Sequence, residues 1–308
     1  MRVVSLLPSA TELVAFVGAA DSLVGVSHEC DHPAGVEALP KLTSPPIDHH
    51  NMTSAEIDAA INRHLSETGS LYRLDAELLE DLKPDLVITQ GLCDVCAVSL
   101  DVVREAASGL STKPRVLSMN PTTLDEVLGC AIEVGDAVGR GDEAREKVSS
   151  LRERLARVVE AVEGLPRPRA GAIEWLDPPF SAGHWVPEMF RLAGAEEVLA
   201  EEGEPSARLS WEEVFAARPE ALVLMPCGFD KDRALREARG LPGLEGWGDL
   251  PAVRSGRVWA VDANSFFSRP APRLVEGVEI LARLLHPEAF ADAPAPAEAA
   301  RATAPVVR

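Results

Sequence analysis

The stretch LLEDLKPDLVI at residues 78–88 places a helix end, a proline and a short apolar strand in immediate succession. The same order recurs in VFAARPEALVL at residues 214–224. Proline lacks an amide hydrogen and clashes with the preceding helical turn, so Pro84 and Pro219 each predict a helix that stops just before a buried strand. The recurrence of this corner indicates that the chain builds one supersecondary unit twice.

The repeat extends to both sides of the corner. VVSLLPS at 3–9 and AGAIEWL at 170–176 predict the first strand of each copy, and PRVLSMN at 114–120 corresponds to GRVWAVD at 256–262. A period this long is unlike a solenoid and favours two similar α/β lobes with mostly parallel sheets. Residues 121–168 predict a long helical segment, which we expect to bridge the lobes, with a ligand cleft between them.

These patterns divide the chain into four parts. We expect an N-terminal α/β lobe at 1–120, the bridging helical segment at 121–168 and a C-terminal α/β lobe at 169–290. Residues 291–308 are rich in Ala and Pro and hold almost no large apolar side chain, which predicts a disordered tail.

Composition restricts the partners. The chain has 30 basic and 49 acidic residues, and its net charge of −19 disfavours nucleic acid as a partner. No run of about 18 apolar residues occurs, so we expect no membrane span. Met1 and Arg2 pass directly into the first predicted strand without a signal peptide, which predicts a cytoplasmic protein. An extracytoplasmic location is the alternative if the start is misassigned.

Candidate ligand-binding residues lie in the loops that follow strands, because ligands collect at the carboxyl ends of strands in open α/β sheets. The second lobe concentrates aromatic residues there, although aromatics make up only 5% of the chain, and such rings suit a broad, flat, apolar ligand. The alternative is that individual rings fill the core of that lobe. The candidates are Pro8, Ser9, His28, Glu29, Trp175, Phe180, His184, Trp185, Phe229, Phe266, Phe267 and Arg269.

Four cysteines in strand-end loops predict a zinc or iron-sulfur site: Cys30, Cys93, Cys96 and Cys227. His28, His32 and His184 are alternative metal ligands, and the competing interpretation is that these thiols only fill space. The letters HECDH at 28–32 match the zinc-protease pattern, but Pro33 disfavours the helix which that chemistry needs. The sequence has no P-loop, dinucleotide-binding or serine-hydrolase motif in its required context.

Several segments resemble the substrate-binding proteins of ABC importers for iron-siderophores, haem and vitamin B12. The segments are SLLPSATE at 5–12, LVGVS at 23–27, LKPDLV at 82–87, RPEALV at 218–223 and GRV at 256–258. SHECDHP at 27–33 and SLYRLD at 70–75 are most similar to the cobalamin-binding branch. The resemblance covers about residues 2 to 290 and implies two lobes bridged by one long helix.

The resemblance also implies a function. We expect a binding protein, not an enzyme, that takes up a cobalamin-type corrinoid or related metal chelate and passes it to an ABC permease. Relatives of this kind dock on the permease through acidic side chains, for which Glu56 and Glu188 are the candidates by position. Two alternatives stay open: a cytosolic metal or iron-sulfur protein on the same fold, and a thiol-dependent enzyme acting on a corrinoid.

Overall fold

A computed structural model of the chain describes residues 1–45, 52–68, 71–91 and 98–302. It divides into two compact units. Unit 1 comprises Met1–Met52, Glu56–Pro121 and Asp125–Ser149, and unit 2 comprises Thr53–Ala55, Thr122–Leu124 and Ser150–Arg308.

The first half of the chain alternates short strands with helices. Its last helix, α6, belongs to unit 1 through Ser149 and to unit 2 from Ser150 onward. The elements are β1 (Val3–Ser5), α1 (Pro8–Phe16), β2 (Leu23–Val26), β3 (Thr43–Ser44), α2 (Ser54–Thr68), β4 (Arg73–Leu74), α3 (Ala76–Leu82), β5 (Leu86–Thr89), α4 (Leu100–Gly109), β6 (Arg115–Ser118), α5 (Leu124–Val138) and α6 (Gly141–Val162).

The main sheet of unit 1 has the strand order β2-β1-β5-β6, and every neighbouring pair is parallel. All four residues of β5 are buried, which suits a central strand covered on both faces. One core cluster joins Val4, Leu42, Leu79, Val87 and Val103 from the sheet, the helices and a loop. The short strands β3 and β4 pair separately and antiparallel.

Unit 2 repeats the alternation and adds strands at both sides of its sheet. Its elements are β7 (Arg169–Leu176), β8 (Pro179–Ser181), α7 (Val186–Leu192), β9 (Glu196–Glu197), α8 (Trp211–Ala217), β10 (Ala221–Leu224), α9 (Lys231–Glu237), α10 (Pro251–Arg254), β11 (Val258–Val261), α11 (Ala263–Phe266), α12 (Leu274–Leu285) and β12 (Ala299–Arg301).

The sheet of unit 2 has the order β12-β11-β10-β7-β8, with β9 also paired to β7. Strands β7, β10 and β11 are parallel, whereas the outer strands β8 and β12 run antiparallel to their neighbours. Strands β10 and β11 are buried throughout. The predicted α/β fold with mostly parallel sheets is therefore confirmed.

The repeated helix–proline–strand corner has the same hydrogen bonds in both units. The Arg2 N–H donates to Asp85 Oδ2 over 2.7 Å, and its Nε donates to the Leu82 carbonyl at the end of α3 over 2.7 Å. In unit 2 the Arg169 N–H donates to Glu220 Oε2 over 3.0 Å, and its Nη2 donates to the Ala217 carbonyl at the end of α8 over 3.0 Å. We call this arrangement the arginine corner.

The residue before each proline also has the same backbone conformation. Lys83 has φ +44° and Arg218 has φ +50°, so both helices end in a left-handed cap. Non-glycine residues adopt this conformation rarely, so its recurrence at matched positions is a structural counterpart of the sequence repeat.

The disordered tail predicted for residues 291–308 is wrong as far as residue 302. Residues 299–301 form β12, which pairs with β11 so that Arg301 lies opposite Trp259. The Ala302 N–H donates to the Val258 carbonyl over 2.9 Å, and the Asp262 N–H donates to the Glu298 carbonyl over 2.9 Å. Composition gave the wrong prediction because pairing at the edge of a sheet uses main-chain N–H and C=O groups, which even an Ala-rich segment has. Residues 303–308 lie outside the described residues.

The buried carboxyl group of Glu197 gives unit 2 a pH-dependent stability. Burial raises the pKa of Glu197 to about 7, although N–H groups of Ala172, Leu199 and Ala200 donate to it over 3.0, 2.8 and 2.5 Å. Because the folded state holds this proton more tightly than the unfolded state, the contribution is complete below pH 4.5 and is lost as pH rises through 7. Between pH 4.5 and 8, the free energy of unfolding of the unmodified protein should therefore fall by about 3 kcal/mol because of Glu197. We expect this fall to be absent in Glu197→Gln.

Urea unfolding at several pH values measures this difference. Glu196→Gln is the matched control, because Glu196 precedes Glu197 in β9 and is exposed. The control should follow the pH profile of the unmodified protein. An equal pH profile for Glu197→Gln and the unmodified protein would contradict the assignment.

Candidate functional site

The candidate residues of unit 1 surround the end of the sheet at which its parallel strands finish, which we call the carboxyl edge. A buried polar cluster fixes the first two loops there. Thr11 Oγ1 lies 2.8 Å from Ser5 Oγ and 3.0 Å from Cys30 Sγ. Cys30 is only 2% exposed, so its thiol joins the loop after β2 to helix α1 within the interior of unit 1.

His28 and Glu29 line a small recess at this carboxyl edge. His28 Nδ1 lies 2.6 Å from Thr43 Oγ1, and the His28 N–H donates to the same hydroxyl over 3.1 Å. Tyr72 packs its ring against that of His28, with 5.4 Å between centroids, and its hydroxyl donates to Glu29 Oε1 over 3.3 Å. Leu6, Ser27 and Val98 complete the wall.

Tyr72 is a site residue that the sequence analysis missed. Tyr72 had no predicted role beyond its place in the segment SLYRLD at 70–75. In the structure, its ring packs on His28 and its hydroxyl donates to Glu29. One signal in the sequence could have identified it, because Tyr72 is the chain's only tyrosine.

Two buried hydroxyl groups also lie at the ends of neighbouring strands in unit 1. Ser9 is in the first turn of α1, just after Pro8, and Thr89 is the last residue of β5. Ser9 Oγ and Thr89 Oγ1 are buried and have no hydrogen-bond partner among the described residues. A buried hydroxyl without a partner costs about 1 to 3 kcal/mol, so both groups favour an additional polar contact.

In unit 2, an aromatic pair occupies the carboxyl edge. The rings of Trp175 and Phe229 lie 5.3 Å apart, and the guanidinium carbon of Arg233 lies 3.8 Å from the Phe229 ring centroid. The indole N–H of Trp175 donates to the Ser54 carbonyl over 3.2 Å, a contact within unit 2. Trp175 is half-buried, so the ring is held in place and still presents surface.

The loop after β11 is hydrogen-bonded to the loop that carries Phe229. The Asn264 N–H donates to the Phe229 carbonyl over 3.1 Å, and Asn264 Oδ1 accepts from Arg269 Nη2 over 2.9 Å. Phe266 is half-buried, with the guanidinium carbon of Arg273 5.7 Å from its ring centroid. These contacts fix the loops after β10 and β11 to each other.

The aromatic candidates of unit 2 fall into two groups. Trp175, Phe180 and Phe266 are half-buried, and Phe180 lies opposite Trp175 in the β7–β8 hairpin. Trp185, Phe229 and Phe267 are buried, at 6%, 2% and 1% exposure. The expectation that all six rings form a ligand wall is therefore wrong for these three buried rings. The Trp185 indole N–H donates to the Phe267 carbonyl over 2.9 Å, and Phe229 packs against Trp175, both within unit 2.

His184 has a strained backbone and a neutral ring. Its φ is +54°, its N–H donates to the Glu204 carbonyl over 2.6 Å, and its ring stacks on Trp185 with 5.6 Å between centroids. Burial lowers the pKa of His184 below its ordinary value of 6.5. The imidazole is therefore uncharged at neutral pH, which is the form that binds metal ions.

The cysteines do not assemble within the described residues. Cys93 and Cys96 lie outside those residues, Cys30 is buried in unit 1, and Cys227 is exposed in unit 2. No group of three or more His, Cys, Asp or Glu side chains suited to a metal ion occurs in the described part of the chain. Cys130 is buried in the core, and burial raises the pKa of its thiol to about 12.

Comparison with known proteins identifies the family. Residues 3–264 match the sequence profile of the family described as "Periplasmic binding protein". This chain belongs to the periplasmic binding protein family. The resemblance to substrate-binding proteins of ABC importers is confirmed, and so is the prediction of a binding protein that is not an enzyme.

Related proteins match the periplasmic binding protein over most of its length. An uncharacterized ABC transporter substrate-binding lipoprotein of Bacillus subtilis is 25% identical, over 94% of this chain and 81% of the relative. The vitamin B12-binding protein of Vibrio cholerae is 24% identical, over 90% of this chain and 86% of the relative.

Solved structures share the fold. The periplasmic vitamin B12 binding protein of Vibrio cholerae has a TM-score of 0.66 at 21% identity, over 94% of this chain and 97% of that one. A periplasmic heme binding protein of Pseudomonas aeruginosa has a TM-score of 0.68 at 22% identity, over 93% and 92%. An ABC-type Fe3+-hydroxamate transport system protein of Saccharomonospora viridis has a TM-score of 0.65 at 25% identity, over 94% and 92%.

The cytoplasmic location predicted for this periplasmic binding protein is wrong. Its family and its relatives, which are periplasmic proteins and a lipoprotein, point to an extracytoplasmic location. The prediction relied on the first residues of the sequence. Among the described residues, no helix has the length and apolarity needed to cross a membrane.

Gly277 lets helix α12 lie directly against the aromatic loop of this periplasmic binding protein. A Cβ at Gly277 would overlap the Phe266 carbonyl oxygen and the Met189 side chain. We expect Gly277→Ala to destabilise unit 2 by about 1 to 3 kcal/mol, because overpacking outweighs the gain in helix propensity.

Gly129→Ala is the matched control, because Gly129 is also inside a helix and a Cβ there meets nothing within 4 Å. The control should stabilise the protein by up to about 1 kcal/mol. Chemical denaturation of both variants measures the two effects, and stabilisation by Gly277→Ala would refute the close packing.

Proposed function

We propose that this protein binds a cobalamin-type corrinoid or a related metal chelate, with the carboxyl-edge loops of unit 2 as the main contact, and delivers it to an ABC permease. The observation that carries the proposal is the ring of Trp175, which is held by the Ser54 carbonyl and by Phe229 and still presents surface. The match to vitamin B12-binding proteins over 90% of the chain supports the corrinoid.

Unit 2 supplies the apolar part of the proposed contact. A corrin or porphyrin macrocycle is broad and flat, and a fixed aromatic ring contacts such a surface with little loss of side-chain freedom. Trp175 and Phe180 lie opposite each other in one hairpin, and Phe266 is half-buried in the loop after β11. The cross-links from Phe229 to Asn264 and from Asn264 to Arg269 hold these loops in place before a ligand arrives.

Unit 1 has polar groups at its own carboxyl edge. The amide groups around a corrin ring both donate and accept hydrogen bonds, as do hydroxyl groups. Ser9 provides a buried hydroxyl at the carboxyl edge, and Glu29 provides a half-buried carboxylate. Haem has carboxylates at its edge instead, which a nearby Glu29 and a net charge of −19 repel. These groups favour an amide-bearing ligand.

Each unit has one histidine suited to binding a metal ion. The neutral ring of His184 can offer a nitrogen at neutral pH because burial lowers its pKa. His28 is fixed by Thr43 and stacked near Tyr72, so its ring has a defined orientation. A coordinating histidine would alter the visible spectrum of the bound chelate, which makes the assignment testable in the same titration.

Delivery to a permease needs exposed acidic side chains of the kind predicted at Glu56 and Glu188. Glu56 is exposed at the start of α2. Glu188 has a structural role, because its Oε2 accepts from the Leu124 N–H over 2.7 Å and its Oε1 accepts from Arg191 over 3.3 Å. We therefore propose Glu56, and not Glu188, as a permease contact.

Titration with three classes of ligand tests the proposal. We expect cyanocobalamin to quench tryptophan fluorescence at low concentration, with haemin and the hydroxamate ferrioxamine B binding more weakly. Trp175→Ala should weaken cobalamin binding by about tenfold or more, because the central aromatic contact is lost.

Trp211→Phe is the control, since Trp211 packs against Phe215 and Trp247 in the unit 2 core. It should keep the affinity of the unmodified protein. If haemin or ferrioxamine B binds more tightly than cyanocobalamin, that compound replaces the corrinoid as the proposed ligand. If none of the three binds, the proposed function is rejected.

A further inference from the structure

Unit 2 has a cavity at the opposite end of its sheet from the aromatic pair. The residues that precede β7, β10 and β11 line it, including Pro168, Glu220 and Arg257, so it lies at the amino edge of the sheet. The end of α12 and the segment leading to β12 form its other walls. Its volume is about 1180 Å³, enough for a small organic molecule.

Four arginines line this cavity, which we call the arginine cavity: Arg167, Arg257, Arg283 and Arg301. All four donate to backbone carbonyls. Arg257 Nη2 donates to Leu285 over 2.8 Å, and Arg301 Nη1 donates to Gly256 over 2.9 Å. Arg283 Nε donates to Glu279 over 3.2 Å, and Arg167 Nη2 donates to Arg191 and Ala195 over 3.0 and 2.9 Å.

These bonds leave donor capacity unused. A guanidinium group has five N–H donors, and each of the four uses only part of them on these carbonyls. Within the described part of the chain, none of the four forms a salt bridge. Other arginines of unit 2 do, as Arg154 pairs with Glu279 over 2.9 Å and Arg191 pairs with Glu202 over 2.6 Å.

The charge of the cavity is opposite to that of the protein. Two carboxylates, Glu220 and Glu288, line it together with the four guanidinium groups, and both attract Arg257, so positive charge is in excess but partly balanced. Glu220 accepts from the Arg169 N–H over 3.0 Å, and Glu288 lies 3.8 Å from the buried His286. The chain as a whole has a net charge of −19, so a locally positive cavity is unusual on its surface.

We propose that the arginine cavity binds a small molecule that carries two or more carboxylate or phosphate groups. Guanidinium groups bind both kinds of anion through paired N–H donors, and four of them around one cavity suit several anionic groups better than one. Trp259 lies in the wall of the same cavity but is only 6% exposed, and the Arg257 guanidinium carbon lies 5.8 Å from its ring centroid.

This site is separate from the proposed chelate site. The two lie at opposite ends of the strands of unit 2, and no residue of the arginine cavity is among the chelate candidates. Anion binding at the amino edge should therefore leave chelate binding at the carboxyl edge unchanged.

Calorimetric titration of the full chain with pyrophosphate and with citrate tests the proposal and distinguishes phosphate from carboxylate. We expect saturable binding of at least one of the two, weakened by added NaCl. Arg283→Gln should weaken this binding by about tenfold, because a charge-assisted contact is lost. Arg301→Gln, on a different element, should act in the same direction and serves if the first variant fails to fold by circular dichroism.

Arg239→Gln is the control for overall charge, since Arg239 is exposed and lies outside the cavity. The arginine cavity is supported if Arg239→Gln binds the anion as tightly as the unmodified protein does. Cobalamin titration should also be unchanged in all variants. No saturable binding of either anion, or equal weakening by Arg239→Gln and the cavity variants, overturns it.

Discussion

In each unit, the first strand is joined to the helix–proline–strand corner through the arginine corner. The main-chain N–H of Arg2, just before β1, or of Arg169, the first residue of β7, donates to the acidic residue after the proline. The side chain of the same arginine donates to the last carbonyl of the helix. These bonds align β1 with β5, and β7 with β10, at their amino ends. Parallel strands aligned at one end finish together at the other, where ligands bind such sheets.

The two units differ at the borders of their sheets. Unit 2 adds the antiparallel strands β8 and β12, whereas unit 1 has β3 and β4 as a separate pair. The additions have local effects on the candidate site. The β7–β8 hairpin places Phe180 opposite Trp175, and β3 provides Thr43, which binds both the ring and the N–H of His28. The chemistry of each carboxyl edge therefore depends on what was added to the shared core.

The sequence predicts the shared core well and the site only in part. Strands β5 and β10 begin two residues after Pro84 and Pro219, as the repeated corner predicts, because the proline ends the helix and the apolar run after it is buried. The burial of Trp185 and Phe267 could not be predicted, since a ring in a strand-end loop can face either way. Tyr72 was missed because its partners are 43 and 44 residues away in the chain. Main-chain pairing, which composition does not reveal, orders residues 299–301.

The arginine cavity does not follow from the repeat alone. Arg115 begins β6 of unit 1 at the position that corresponds to Arg257, and it is exposed. In unit 2, the chain continues past α12 and returns as β12, which brings Arg301 to the carbonyl of Gly256, next to Arg257. Like charges held close together destabilise each other, and the cost falls when an anion lies between them. The added strand therefore both extends the sheet and brings a second guanidinium group to the edge at which we propose the anion site.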